Sequence, residues 1–222
     1  MATATTAPPR PGVVSVWLAL PQSINFFDAS QLSEPERERF AARRSPRRRD
    51  EFAVSRALMS HVSARPDAAT SLTHVDGLAA MACGPADSFV GVDLERHKDR
   101  DALAIARFAF AAAESEALAS MPEMQRLRHF YTLWVMKEAL AKALRLSLMD
   151  ALLNCVVTKT QDGWRGTVPT SHPWRLDVFE PEPDLSLAVA CVGAAARGFQ
   201  MQCGQWPPSR PAAWPVAASV SG

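Results

Sequence analysis

The chain has 222 residues, 48% of them apolar, and Lys and Arg outnumber Asp and Glu by a single charge, so a long disordered polyelectrolyte is excluded and one large or two small folded units are expected. Four scattered cysteines, Cys83, Cys155, Cys191 and Cys203, form no C-x-x-C pair, which argues against a disulfide framework or a zinc site and for reduced thiols in a cytoplasmic protein. No run reaches the roughly 20 apolar residues of a membrane span, and the first residues carry no signal-like apolar stretch.

Residues 1–12 are small, Pro-rich and aperiodic, and read as an N-terminal tail. The β-branched run at 13–20 predicts a strand. Ser33 and Glu36 form an S-x-x-E capping box for a helix through about Ala42. Ser45-Pro46 opens a second helix to about Ser63, with Phe52, Ser55, Leu58, Met59 and Val62 on one face. Strands follow at 78–83 and 88–95, helices at 100–109, 111–120 and 123–144, and strands at 152–158, 173–179 and 186–192. From Gly204 to Gly222 four prolines and two tryptophans, Trp206 and Trp214, predict an irregular tail. LAAMACG at 78–84 is echoed by LAVACVG at 187–193, a faint sign of duplication.

Two segments carry chemistry. In GVDLE, residues 91–95, strand alternation turns Val90, Val92 and Leu94 one way and Gly91, Asp93 and Glu95 the other. Two carboxylates on one face, with a glycine beside them leaving room, suit a hard cation such as Mg²⁺, although a half-buried strand with an acidic outer face has the same pattern. In Leu133–Leu144, Leu133, Met136, Leu140 and Leu144 make an apolar stripe, while Trp134, Glu138 and Lys142 recur every four residues on a neighbouring face. Arg43, Arg44, Arg47, Arg48 and Arg49 crowd into seven positions. Such a cluster is a solvated helix face, a nucleic-acid contact, or a site for another phosphate ligand through bidentate contacts. His61, His97, His129 and His172 show no ligand spacing and read as surface or structural residues.

The order and separation of GVDLE, of F-x-x-x-E at Phe110–Glu114 and of W-x-x-K-E-A-x-x-K at Trp134–Lys142 resemble the 4'-phosphopantetheinyl transferase superfamily, in its longer, surfactin-synthetase-activating type. SLTHV at 71–75 looks like the family's serine-histidine segment, and the Arg-rich helix ending in Ser55–Leu58 like its coenzyme-binding helix. The resemblance implies an α+β fold of two pseudo-symmetric halves with coenzyme A between them, here 13–87 and 88–203, followed by the tail 204–222. It implies metal ligands at Asp93, Glu95 and Glu138, with Mg²⁺ as the ion and Mn²⁺ open beside it. Lys142, His74 and Thr73 would contact coenzyme phosphates, joined by some of Arg47, Arg48, Arg49 and Arg56. The implied reaction moves the phosphopantetheine arm of coenzyme A to a serine of an apo acyl or peptidyl carrier protein and releases 3',5'-ADP. Glu138, or a metal-bound water it orients, would take the serine proton. A monomer is expected because the symmetry is internal.

The chain departs from the family pattern at Thr73 and Val75, which replace serines, and at Arg145 and Ser147, which replace glycines. The family's G-K-P segment has only Arg65-Pro66 as a shortened stand-in. Two rival readings are a non-catalytic coenzyme-binding accessory protein, and a nucleic-acid-binding module built on the Arg-rich helix. The retention of Asp93, Glu95, Glu138 and Lys142 weighs against the first.

Overall fold

The apolar strands of this chain stack as two sheets, face to face, each with a helix on its outer side. The structure is a computed structural model that describes residues 12–62, 67–198, 200–207 and 214–222. The first sheet has the order β2 (Ala69–Val75), β3 (Leu78–Gly84), β1 (Val13–Ala19), β9 (Gln200–Trp206). β1 runs antiparallel to β3 and parallel to β9. The second sheet has the order β10 (Val216–Ser221), β7 (Trp174–Glu182), β8 (Leu185–Val192), β4 (Phe89–Arg96), antiparallel throughout. A separate hairpin joins β5 (Val156–Thr160) to β6 (Gly163–Thr167).

Alternation decides which side chains fill each layer. Val14, Val16 and Leu18 of the first sheet meet Val92, Leu94, Leu187 and Val189 of the second, all at most 1% exposed, and form the middle layer of the core. On the outer face of the first sheet, α2 (Pro46–His61) buries Val54, Ala57 and Leu58 against Ala79, Met81 and Cys83. Of the face predicted for this helix, only Met59 stays exposed. On the outer face of the second sheet, α5 (Glu123–Leu144) buries Met136, Ala139 and Leu140 against Leu176, Val178, Ala188 and Ala190. The expected α+β class therefore holds, as a helix–sheet–sheet–helix stack. The two echoing segments lie on β3 and β8, each an interior strand buried at every position.

Short helices complete the frame: α1 (Glu34–Ala41), α3 (Ala102–Ala109), α4 (Ala112–Ser120) and α6 (Leu148–Asn154). The predicted capping box is present, with the Ser33 N–H donating to Glu36 Oε2 at 3.0 Å. At the end of α5 Arg145 itself adopts the left-handed conformation, φ 56°, where the family pattern has glycine. Its guanidinium lies over the Phe89 ring, 5.0 Å from the centroid.

Three expectations need correction. The strand expected at 152–158 begins as α6, capped by Ser147, whose Oγ accepts the Asp150 N–H at 3.1 Å, and only Val156 onward is extended. In the tail from Gly204 the described residues include two strands: 204–206 close β9, beside β1 in the first sheet, and 216–221 form β10 on an edge of the second. Small residues and nearby prolines hid β10, which has only one face to bury, through Ala218 and Val220. β2 and β6 are strands beyond those expected, each beside a turn signal, Asp76-Gly77 and Asp162-Gly163; Asp76 and Gly77 have φ of 46° and 79°, the mirror-image turn that suits a two-residue hairpin. The 1–12 tail, apart from Gly12, and the Arg65-Pro66 stand-in lie outside the described residues.

Gly91 fixes the spacing between β4 and α5. A Cβ there would stand 1.9 Å from the Ala139 carbonyl oxygen and 2.7 Å from the Ala143 nitrogen, both helix backbone. The glycine thus lets the helix lie directly on the strand, a tighter role than making room for an ion. A second tie is a dry ion pair: Lys137 Nζ is 2.8 Å from Glu114 Oε2, with both side chains fully buried. Lys137 also donates to the carbonyls of Leu152 and Cys155, at 2.7 and 2.6 Å, while Glu114 accepts the N–H groups of Ala111 and Val157. Every charge there has its hydrogen bonds, which is what makes such a pair tolerable in a core. Burial holds the Lys137 ammonium below its usual pKa, against the pull of Glu114.

Gly91→Ala is expected to cost about 3 kcal/mol or more, read as a lowered midpoint in urea unfolding, since neither clashing atom can rotate away. Lys137→Met is expected to cost about 3–5 kcal/mol, because it leaves Glu114 buried and unpaired; the double replacement Glu114→Leu/Lys137→Met should recover much of that loss.

Candidate active site

The close approach at Gly91 sets one turn of α5 over the acidic end of β4. One carboxylate oxygen from each of Asp93, Glu95 and Glu138 lies within 4.8 Å of the other two. Asp93 is buried, 3% exposed, and the other two are half-buried. Lys142, one helical turn after Glu138, donates from Nζ to Asp93 Oδ1 at 2.8 Å and to the Val92 carbonyl at 2.8 Å. The three acids and the lysine expected to converge are thus together.

Electrostatics make the cluster uncomfortable as it stands. Burial, and then the Asp93 charge, push the Glu138 carboxyl up to about 7; Lys142 pulls it the other way. Burial and Asp93 likewise raise Glu95. Asp93 Oδ2 is buried with no hydrogen-bond partner. A polar atom in that position is costly unless something neutralises it. An all-oxygen donor set with an orphaned carboxylate oxygen fits the chemistry of a hard divalent cation.

β2 reaches this cluster from the first sheet. Both β2 and β4 are edge strands of their sheets. They meet through hydroxyls rather than through a backbone ladder. Ser71 Oγ accepts the Val92 N–H at 3.1 Å, and Thr73 Oγ1 donates to Asp93 Oδ1 at 3.1 Å. His74, next along β2, stands on the rim of a cleft of about 1030 Å³. Arg39, Arg43, Arg44, Arg47 and Arg48 line that cleft with it. It is a strongly cationic hollow, suited to phosphate oxygens, and β2 links it to the carboxylates through the successive residues His74 and Thr73.

The remaining arginines divide. Arg49 donates to the Arg43 carbonyl at 2.7 Å. Arg56 turns to Glu36, 3.0 Å away, and lies over the Phe52 ring in a smaller hollow with Phe27 and Asp28. The structure therefore does not bring Arg56 to the His74 cleft. Two acidic residues of the site carry no mark in the sequence motifs. Glu51 pairs with Arg47 at 3.0 Å and faces His74 Nδ1 at 3.9 Å. Asp76, on the hairpin turn, pairs with Arg47 and Lys98, both at 2.8 Å. The Arg47–Glu51 spacing of four on a helix was the available signal; the Asp76 contacts join distant segments and had none. His61, His97 and His129 stack on Trp206, Tyr131 and Trp164, in keeping with structural roles.

Comparison with known proteins bears on the same segment. The family model described as "4'-phosphopantetheinyl transferase superfamily" matches residues 89–190. The 4'-phosphopantetheinyl transferase psf-1 of Bacillus pumilus is 31% identical over 112 residues, 50% of this chain and 48% of that protein. The chain thus spans about half the length of the curated relative it matches. A holo-(acyl-carrier-protein) synthase from Bacillus anthracis, solved in complex with CoA (3',5'-ADP), aligns with 15% identity and a TM-score of 0.40. That alignment covers 47% of this chain and 94% of the other. The resemblance read from the sequence motifs is thus found again by a family model and by a curated relative. Among the described residues, no helix is long and apolar enough to cross a membrane.

The raised Glu138 carboxyl gives a test with a definite sign. Between its ordinary value of 4.5 and about 7, the native protein holds a proton that the unfolded chain has released. In EDTA, stability is therefore expected to fall as pH rises from 4.5 to 7 and to level off above. Urea midpoints measured across that range should decline less steeply in Glu138→Gln.

Proposed function

We propose that this chain is a 4'-phosphopantetheinyl transferase, which moves the phosphopantetheine arm of coenzyme A onto a serine of an apo acyl or peptidyl carrier protein. The observation that carries this reading is the meeting of Asp93, Glu95, Glu138 and Lys142 beside an arginine-lined cleft. The family likeness over residues 89–190 supports it.

Phosphoryl transfer asks a protein mainly for alignment and for neutralisation of charge. Asp93, Glu95 and Glu138 would hold a Mg²⁺ ion, which supplies positive charge to offset the pyrophosphate and the leaving group; Mn²⁺ has the same oxygen preference. The chain's own groups divide the rest. Arg47, Arg48 and His74 bind phosphate oxygens in the cleft. Lys142 uses two of its three N–H donors on Val92 and Asp93, and its third is available to the pyrophosphate. The carrier serine oxygen forms a bond to the β-phosphorus as the bond to 3',5'-ADP breaks. Glu138, whose proton affinity burial raises in the metal-free protein, or a water that it orients, takes the serine proton.

Arg56 is paired with Glu36, so it offers less free charge to nucleic acid than the sequence suggests. The function is tested by incubating the protein with an apo carrier, coenzyme A and Mg²⁺ and weighing the carrier. The expected result is a gain of one phosphopantetheine arm, abolished by EDTA. Asp93→Ala and Lys142→Ala are each expected to lower turnover about 100-fold or more while circular dichroism stays that of the parent. Parental rates in either variant would remove that residue from the mechanism.

A further inference from the structure

We infer that Thr73 is a positioning residue for Asp93 rather than a phosphate contact, an inference that rests on the metal-binding role proposed for Asp93. A threonine hydroxyl carries one proton. Here it is donated to Asp93 Oδ1 at 3.1 Å, the same oxygen that receives Lys142 Nζ at 2.8 Å. Phosphate oxygens only accept hydrogen bonds, so Thr73 cannot serve the carboxylate and a phosphate with the same proton. The two roles exclude one another, and the geometry assigns the proton to Asp93.

The consequence is an asymmetric carboxylate. Oδ1 is held from two sides, by the first sheet through Thr73 and by α5 through Lys142. Oδ2 is left buried and without a partner, on a residue whose neighbours Glu95 and Glu138 each bring an oxygen within 4.8 Å. Fixing one oxygen of a ligand carboxylate fixes the direction of the other. Hydrogen-bonding partners that orient a ligand in this way change metal affinity by about 10–100-fold when removed. The neighbouring hydroxyl keeps the clamp in register: Ser71 Oγ accepts the Val92 N–H, so β2 is pinned to β4 one residue before Asp93. The β-branch at Thr73 restricts the hydroxyl to few rotamers, which a serine would not do as firmly.

The test is a titration of metal-free protein with Mn²⁺, read by the loss of the free-ion electron paramagnetic resonance signal. Thr73→Val keeps the shape and removes the proton; it is expected to weaken Mn²⁺ binding about tenfold or more. Thr73→Ser should stay within about threefold of the parent. Binding of 3',5'-ADP in EDTA should be unchanged in both. In turnover assays Thr73→Val should raise the Mg²⁺ concentration needed for half-activation and leave the KM for coenzyme A at saturating Mg²⁺ alone. Parental Mn²⁺ affinity in Thr73→Val, or a loss of 3',5'-ADP binding in EDTA with Mn²⁺ binding intact, overturns the inference. If Thr73→Val does not fold, Thr73→Ala carries the same expectations. Absence of Mn²⁺ binding by the parent protein would instead overturn the metal-binding role of Asp93 itself, and the inference with it.

Discussion

The distance between α5 and β4 is the constraint on which the site depends. A helix ordinarily stands off a sheet by the thickness of the side chains between them. At Gly91 that thickness is absent, and the carbonyl of Ala139 occupies the space where a Cβ would be. Because Glu138 and Lys142 flank Ala139 on the helix, and Asp93 and Glu95 follow Gly91 on the strand, the contact brings four charged groups into reach of one another. The hydrophobic layers above and below act as the clamp. Met136 and Leu140 are fully buried against the second sheet, and Val92 and Leu94 against the first. The cost of holding like charges close is met by this burial, which also raises the proton affinity of Glu138 and Glu95.

The second condition is the seam between the sheets. Two edge strands side by side could have continued as a single ladder, since each has backbone groups to pair. They do not. On β4 the N–H of Val92 goes to Ser71 Oγ and its carbonyl to Lys142 Nζ. Side chains thus satisfy the edge at Val92, where a further strand pairing would have used the same two groups. The same feature explains why the cleft and the acidic cluster are adjacent: Thr73 faces one and His74 the other, on successive residues of one strand.

The sequence was informative where periodicity and chemistry coincide. Helical spacing of Trp134, Glu138 and Lys142, and alternation in GVDLE, located the acidic cluster, and the capping box at Ser33 and the boundaries of α5 were legible for the same reason. It was less informative where tertiary contact decides. Glu51 and Asp76 meet Arg47 and Lys98 through a hairpin turn that no local pattern ties to α2. β10 is a short edge strand of small residues among prolines, and its identity comes from β7 beside it. α6 occupies part of the expected 152–158 strand because Ser147 caps a helix there, a contact that the β-branched run after it does not report. Arg56 shows the limit of counting charges. Its place in an arginine cluster suggested a phosphate contact, and its partner is Glu36.

Two lysines on the same helix separate structure from chemistry. Lys137 and Lys142 each sit on a carboxylate at 2.8 Å, yet their surroundings differ in kind. Around Lys137 each charged atom has its full set of partners, both side chains are sealed from water, and the pair can do nothing but hold α4, α5 and the start of β5 together. Around Lys142 the set is incomplete. Its ammonium is partly exposed, Asp93 Oδ2 has no partner, and two further carboxylates crowd the same point. An ion pair that saturates its neighbours is a fastening. One that leaves a buried oxygen and an excess of negative charge unsatisfied is prepared for something positive to arrive.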